Sequence, residues 1–170
     1  LKIVSEDFSS VTPENSMKWM HSHPEYSNFT FSNAQKITDF AKYNDMYLVG
    51  HTLVWHNQVP EYVSGINDKA KFNLHLKNHI FNMVSQFKGK VDMWDVVNEA
   101  LNDDGSLRET LFLKMIGDDY IEKAFQYAND SDPNVELAYN DYNLWKPKKR
   151  KGAIKIINSL KEKGIRIDAV

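Results

Sequence analysis

The sequence predicts an α/β protein with a parallel sheet, and within that class a (β/α)8 TIM barrel of which this chain supplies only part. Strand-like and helix-like segments alternate along the 170 residues, giving about five strands and four helices. Several strands end in polar residues. Barrels assemble their sites from many strand ends in this way, whereas open doubly wound sheets use a single crevice. The glycine-rich phosphate turn of nucleotide-binding sheets is missing. A complete barrel needs about 250 residues, so the rest of it is expected to lie outside this chain.

The first half of the chain predicts three strands and two amphipathic helices. The strands are expected at residues 8–12, 46–52 and 91–98. Ser32 is expected to cap a helix over 33–43, and Asp68 a longer helix that ends near Gly89. Apolar residues recur on one face of each helix at the spacing of a buried stripe. They are Ala34, Ile37, Phe40 and Ala41 in the first helix, and Phe72, Leu76, Ile80, Met83, Val84 and Phe87 in the second.

The second half repeats the pattern. A helix is expected from about Asp118, then a strand over 135–139, and then a helix whose first turn contains Pro147 and which ends at Gly164. The apolar stripes of these helices comprise Ile121, Ala124, Phe125 and Ala128, and then Ile154, Ile157 and Leu160. A fifth strand is expected over 165–170.

The composition excludes several classes of partner. A formal net charge of −2 gives no reason to expect nucleic acid or an anionic membrane, and no apolar stretch approaches the length of a membrane span. The chain has no cysteine, so neither a disulfide nor a thiolate metal site is expected. It opens on Leu1 rather than on methionine, and we therefore expect a processed or trimmed segment.

The segment 94–99 is the most informative for chemistry. A strand-like run leads directly into Asn98 and Glu99, and a polar loop follows. A carboxylic acid at the carboxyl end of a buried strand is placed to act as a general acid/base. Glu99 is therefore the candidate catalytic residue.

Four motifs occur in order along the chain: Thr12-Pro13-Glu14-Asn15-Ser16-Met17-Lys18-Trp19, Gly50-His51-Thr52-Leu53-Val54-Trp55-His56, Trp94-Asp95-Val96-Val97-Asn98-Glu99-Ala100 and Asn140-Asp141-Tyr142-Asn143. Together they resemble the signatures of family 10 glycoside hydrolases, which are mostly endo-β-1,4-xylanases with a (β/α)8 fold. Four ordered motifs at plausible spacings are far more specific than any single one.

The resemblance implies a role for each matching residue. Glu99 would be the general acid/base, and Asn98 would hold the 2-hydroxyl of the sugar at the cleavage point. A polar clamp for the next sugar on the non-reducing side would consist of Glu14, Asn15 and Lys18. The floor and wall around the scissile sugar would consist of His51, Trp55 and Gln58, and Tyr142 would line the leaving-group side.

The resemblance covers about strands 2 to 6 of the family's barrel. The family's nucleophile is a second glutamate on the seventh strand, and it is expected outside this chain. Retaining hydrolysis needs two carboxyl groups about 5–5.5 Å apart. We therefore expect the remainder of the barrel as a partner, either from the same gene product or as a second polypeptide.

The function implied is retaining hydrolysis of internal bonds in xylan or xylooligosaccharides, with residues 1–170 as part of the catalytic domain. No cofactor and no metal site are expected. A polysaccharide substrate implies a secreted or cell-surface protein, extracellular or periplasmic. Two alternatives stay open: a non-catalytic xylan-binding or vestigial barrel fragment, and a retaining β-glucanase of similar fold.

Other conspicuous residues have simpler interpretations. His75 and His79 have the i, i+4 spacing of a metal pair, but with no third ligand they are expected on a packing or solvated face. The basic run 146–151 predicts a solvated outer helix face, and 103–105 predicts a turn. Trp94 precedes its strand end by several residues and is expected in the core.

Overall fold

The computed structural model describes residues 2–170. Within this range four parallel strands form one sheet, and they lie side by side in the order in which they occur along the chain. The strands are β1 (Ser10–Val11), β2 (Tyr47–Trp55), β3 (Met93–Asn98) and β4 (Glu136–Asn140). The helices are α1 (Lys2–Asp7), α2 (Trp19–Ser22), α3 (Ser32–Tyr43), α4 (Glu61–Ser64), α5 (Lys69–Gln86), α6 (Leu111–Ile116), α7 (Tyr120–Ser131) and α8 (Pro147–Glu162). Neighbouring parallel strands joined by helical crossovers are the repeating unit of a (β/α)8 barrel.

The alternation predicted from the sequence is confirmed, with two differences. Helices α1, α2, α4 and α6 were not predicted, because four to six residues are too few for a helical period to show. The fifth predicted strand, 165–170, is reduced to a single bridge between Ala138 and Ala169. There the side chain of Asp168 accepts a hydrogen bond from the backbone N–H of Leu137 at 2.9 Å. In a regular β-ladder that N–H would donate to a backbone carbonyl of the neighbouring strand instead.

The helix starts test the capping predictions. Asp68 is the N-cap of α5, and its side chain accepts from the backbone N of Lys71 at 2.7 Å, as expected. The prediction for Ser32 is wrong, because Ser32 is already the first residue of α3. Its N-cap is Phe31, whose carbonyl accepts from the backbone N of Gln35 at 2.7 Å.

Helix α8 begins at Pro147, as predicted. Its buried stripe differs from the prediction, however. Ala153, Ile156 and Leu160 are buried, whereas Ile154 is 47% exposed. The predicted stripe was therefore wrong at Ile154, because two overlapping apolar spacings exist in this segment and only packing distinguishes them.

The core lies between the outer face of the sheet and the helices. Trp94 on β3 is buried beside Phe87 at the end of α5, with ring centroids 6.3 Å apart, which confirms its predicted core position. His79 is fully buried and stacks on Trp19 with centroids 4.1 Å apart. His75 is also buried, so both histidines lie on a packing face. Among residues 2–170, no group of three potential metal ligands comes together, and no helix is both long and apolar enough to cross a membrane.

Candidate active site

The face of the sheet opposite the helices carries polar side chains. Successive residues of a strand point to opposite faces, so His51 and Asp95, which are register partners on β2 and β3, lie on the same side. Together with Glu14, Lys18 and Asn140 they line one open cavity. Their neighbours Gly50 and Trp94 face the helices instead.

His51 is oriented by a carboxylate on the next strand. His51 Nδ1 lies 2.8 Å from Asp95 Oδ2, and both side chains are largely buried. A carboxylate can only accept, so Nδ1 carries the hydrogen and the tautomer of the ring is fixed. Thr52, the next residue on β2, donates to the backbone oxygen of Asp95 at 2.8 Å and ties the two strands together.

Glu99 follows the last residue of β3 and is partly buried. Its Oε2 accepts from Trp55 Nε1 at 2.9 Å, its backbone N donates to Asn140 O at 2.8 Å, and its carbonyl accepts from Arg108 Nε at 3.0 Å. Its φ of 54° lies in the left-handed region, which costs a non-glycine residue about 1–3 kcal/mol unless its surroundings enforce it. Hydrogen bonds at both backbone groups of Glu99 supply that enforcement.

Asn98 is the buried last residue of β3. Its Oδ1 accepts from Asn140 Nδ2 at 2.9 Å, which fixes the orientation of the Asn98 amide. The amide nitrogen of Asn98 is therefore directed away from this bond and is available as a donor to a ligand.

The clamp predicted at residues 14, 15 and 18 is partly assembled. Lys18 is buried; its Nζ donates to Asn15 Oδ1 at 3.1 Å and lies 4.5 Å from the centroid of the Trp55 ring. Glu14 is exposed and lines the cavity next to Lys18. Lys18 and Trp55 thus connect the clamp to Glu99.

Gln58 is turned towards α2. Its Oε1 lies 3.0 Å from His21 Nε2, and its backbone carbonyl accepts from Met20 N at 3.0 Å. With φ at 52°, its backbone is also left-handed. Its polar contacts in the structure do not reach the group around Glu99, and its predicted contact with sugar stays a prediction.

Tyr142 lies on the loop between β4 and α8 and is 47% exposed. Its hydroxyl accepts from Arg108 Nη2 at 2.5 Å, so the same arginine contacts both Glu99 and Tyr142. Nearby, burial lowers the pKa of His56 most, and the positive charge of Arg108 lowers it further. His56 is consequently neutral near pH 7 and adds no charge beside Glu99.

Comparison with known proteins matches this geometry to one family. The model of glycosyl hydrolase family 10 matches residues 1–170. A β-1,4-xylanase of Dictyoglomus thermophilum is 45% identical over 99% of the chain. The chain belongs to glycosyl hydrolase family 10.

Solved structures of family 10 agree. Xylanase 10B from Thermotoga petrophila, solved in complex with xylobiose, superposes with a TM-score of 0.95 at 44% identity and covers 98% of this chain and 52% of its own. An intracellular xylanase from Thermoanaerobacterium saccharolyticum gives 0.94 at 38% identity, with 98% and 56% covered. The chain spans about half the length of the curated relatives it matches, 48% for the Dictyoglomus enzyme. Its fold is accordingly part of the family 10 (β/α)8 barrel.

Most of the residues predicted from the family 10 motifs come together. Asn15, Lys18, Trp55 and Glu99 form one chain of contacts, and Asn98 joins β4 through Asn140. The roles assigned to them stay predictions.

Sequence reasoning missed several residues of this region. Asp95, Arg108 and Lys149 received no role, although they contact the side chains of His51, Tyr142 and Tyr142, respectively. An acidic residue inside the apolar run of β3 was the available signal for Asp95. For Lys149 the prediction was wrong: the basic run 146–151 was expected on a solvated face, but Lys149 is fully buried because it pairs with Asp141.

Proposed function

We propose that the whole protein is a retaining endo-β-1,4-xylanase, and that residues 1–170 form part of its catalytic domain. The observation that carries the proposal is the setting of Glu99, a carboxylic acid at the carboxyl end of β3 whose Oε2 is held by the Trp55 indole at 2.9 Å. Support for xylan as the substrate class comes from the names of the relatives and from the xylobiose bound to the Thermotoga petrophila enzyme.

The chemistry assigned to Glu99 is proton transfer. In the first half-reaction it donates a proton to the departing glycosidic oxygen, and in the second it accepts one from the attacking water. Trp55 occupies Oε2, so we assign the transferred proton to Oε1. Asn98, whose amide is oriented by Asn140, would hold a sugar hydroxyl through bonds that strengthen as charge develops.

A retaining mechanism also needs a nucleophilic carboxylate about 5–5.5 Å from the acid/base. We assign it to the remainder of the barrel, outside residues 1–170, on the same polypeptide or on a second one. The intact mass of every polypeptide in an active preparation, measured under denaturing conditions, would distinguish those two arrangements.

The test of Glu99 is its replacement in the whole protein. Glu99→Ala is expected to leave xylooligosaccharide binding largely intact, because other residues hold the sugars, and to abolish nearly all release of reducing sugar from xylan. Glu162→Ala, an exposed glutamate near the end of α8, is the matched control and should retain full activity. Unchanged turnover in the Glu99→Ala protein would refute the assignment.

The same assays separate the alternatives. Binding of xylooligosaccharides without any hydrolysis by the unsubstituted whole protein would favour a non-catalytic binding role. Faster release from a β-glucan than from xylan would favour a glucanase. We expect xylan to be preferred, because the clamp of Glu14, Asn15 and Lys18 should accept a pentose and crowd a hydroxymethyl group.

We further propose a secreted or cell-surface location, since a polymeric substrate lies outside the cell. The related Thermoanaerobacterium enzyme is intracellular, so the location needs its own measurement. Activity in the medium or on intact cells supports the proposal, and activity released only by lysis contradicts it.

A further inference from the structure

Lys149 is a fully buried lysine in the first turn of α8, although its neighbours Lys148 and Arg150 are exposed. Its Nζ lies 2.8 Å from Asp141 Oδ1, and the Asp141 side chain is also fully buried. The same Nζ lies 3.7 Å from the centroid of the Tyr142 ring. Removing an ammonium group from water carries a large desolvation cost, which the contacts with Asp141 and Tyr142 must offset.

Asp141 connects the loop that follows β3 with the loop that follows β4. Its Oδ2 accepts from Leu101 N at 3.3 Å and from Tyr139 Oη at 2.6 Å, and its Oδ1 accepts from Tyr142 N at 2.8 Å. Burial and the bond to Asp141 raise the pKa of Tyr139, so its hydroxyl stays a donor. Leu101 stands two residues after Glu99, and the carboxylate therefore restrains the backbone just beyond the catalytic candidate.

A second connection runs through Arg108. It donates from Nε to the carbonyl of Glu99 and from Nη2 to the hydroxyl of Tyr142. Tyr142 is thus held by Arg108 at its hydroxyl, by Lys149 at its ring and by Asp141 at its backbone. These contacts close a ring that begins and ends at the backbone around Glu99.

We propose that Lys149 is a positioning residue for Glu99: by anchoring Asp141 and Tyr142, it keeps the Glu99 carboxyl aligned with the departing oxygen. Glu99 has a φ of 54°, a conformation that its surroundings must maintain. This inference rests on the proposed function, because it concerns the acid/base step. Lys149 itself touches no substrate in this scheme.

The test compares two substrates in the whole protein. Cleavage of xylan needs a proton on the leaving oxygen. In an aryl β-xylobioside with a dinitrophenolate leaving group, by contrast, that group is stable enough to depart without being protonated. With Lys149→Met, we expect kcat/KM on xylan to fall by about 10²-fold, the effect of a misplacement near 1 Å. On the activated aryl glycoside kcat/KM should change only a few-fold, and KM for xylooligosaccharides should stay nearly constant.

Two further variants control for folding and charge. Lys151→Met removes an exposed lysine from the same helix and should match the unsubstituted protein on both substrates. Combining Lys149→Met with Asp141→Asn removes both buried charges, which avoids leaving one of them unpaired. This double variant should show the same selective loss on xylan. The ratio of the two kcat/KM values does not depend on how much protein is folded, so partial unfolding does not obscure the result.

The outcomes are separable. Equal losses on xylan and on the aryl glycoside, or no loss on either, would overturn the positioning role of Lys149. If Glu99→Ala shows no dependence on the leaving group, the acid/base assignment fails independently of Lys149. If Glu99→Ala and Lys149→Met each lose kcat/KM selectively on xylan while Lys151→Met is unaffected, both the acid/base assignment and the positioning role of Lys149 are supported.

Discussion

The contact between Gly50 and Trp94 gives a quantitative prediction. The two are register partners on β2 and β3, and both face the helices. A Cβ added at Gly50 would lie 2.3 Å from Trp94 Cε3, 2.5 Å from Cζ3 and 2.7 Å from Cδ2. All three atoms belong to one rigid indole, so Gly50→Ala cannot be accommodated by moving a flexible chain end.

The size of the effect follows from packing. Trp94 is 1% exposed and packs near Phe87, so the ring has little free space into which it can withdraw. Forcing an extra carbon into a well-packed core costs about 1–3 kcal/mol. In a domain of about 150–250 residues the midpoint of thermal unfolding falls by about 2–4 °C for each kcal/mol, so in a complete barrel of about 250 residues or more we expect a shift near the lower end of that range. Because Gly50 and Trp94 precede His51 and Asp95, we also expect the pairing of those two side chains to be disturbed.

The assay is urea unfolding of Gly50→Ala beside Gly65→Ala. A Cβ at Gly65 would meet only the backbone oxygen of Glu61, at 3.5 Å, and Gly65 has a φ of −81°. The same chemical change should therefore be tolerated there. Combining Gly50→Ala with Trp94→Phe should recover part of the loss specific to Gly50, as a double-mutant cycle would measure.

The reasoning would be refuted if Gly50→Ala and Gly65→Ala had equal free energies of unfolding. It would also be refuted if the free energies of unfolding lost by Gly50→Ala and by Trp94→Phe were simply additive in the double variant. Either result would mean that the indole moves aside freely.

Three further predictions follow from individual contacts. Trp55→Phe removes the indole donor to Glu99 Oε2, a bond that becomes charge-assisted as Glu99 gives up its proton. A hydrogen bond to a charged group is worth about 1.5–3 kcal/mol, so kcat/KM on xylooligosaccharides should fall about 10- to 100-fold, and an unchanged value would contradict the role of this bond. Asp68→Ala removes the N-cap of α5 and should lower the free energy of unfolding by about 0.5–2 kcal/mol in urea titrations, with Asp68→Asn nearly neutral. Burial and neighbouring His23 hold the pKa of His79 well below its usual value, so the unfolded chain binds the extra proton. Stability is then complete above about pH 6.5 and is lost as the pH falls, by at most about 1.4 kcal/mol per pH unit for this group. His79→Phe should flatten that dependence in unfolding titrations, and an identical slope in both proteins would exclude His79 as its source.

The sequence predicted features that depend on neighbours along the chain. The cap at Asp68 and the helix start at Pro147 were correct, because each is decided within one helical turn. Glu99 was selected as the candidate acid/base from a strand-like run that ends in Asn-Glu, a pattern also contained within a few residues; its position directly after β3 is confirmed, and its role stays a prediction. The predicted N-cap at Ser32 was wrong by one residue: Ser32 is the first residue of α3, and Phe31, a residue without a capping side chain, stands before it.

Features that depend on distant residues were not accessible in this way. The predicted exposure of Lys149 failed because its partner Asp141 lies on the preceding loop, with its side chain fully buried. The stripe on α8 was misassigned at Ile154 because periodicity alone does not say which of two apolar faces meets the sheet.

The sequence by itself determined the fold class and the order of the elements, and it singled out Glu99 as the candidate acid/base, because periodicity and motifs depend on residues close together along the chain. Only the tertiary structure decided that His51 pairs with Asp95, 44 positions away, and that Trp55 donates to Glu99 across the same separation. Those contacts arise from the register of β2 against β3, which the packing of the whole sheet and its helices fixes.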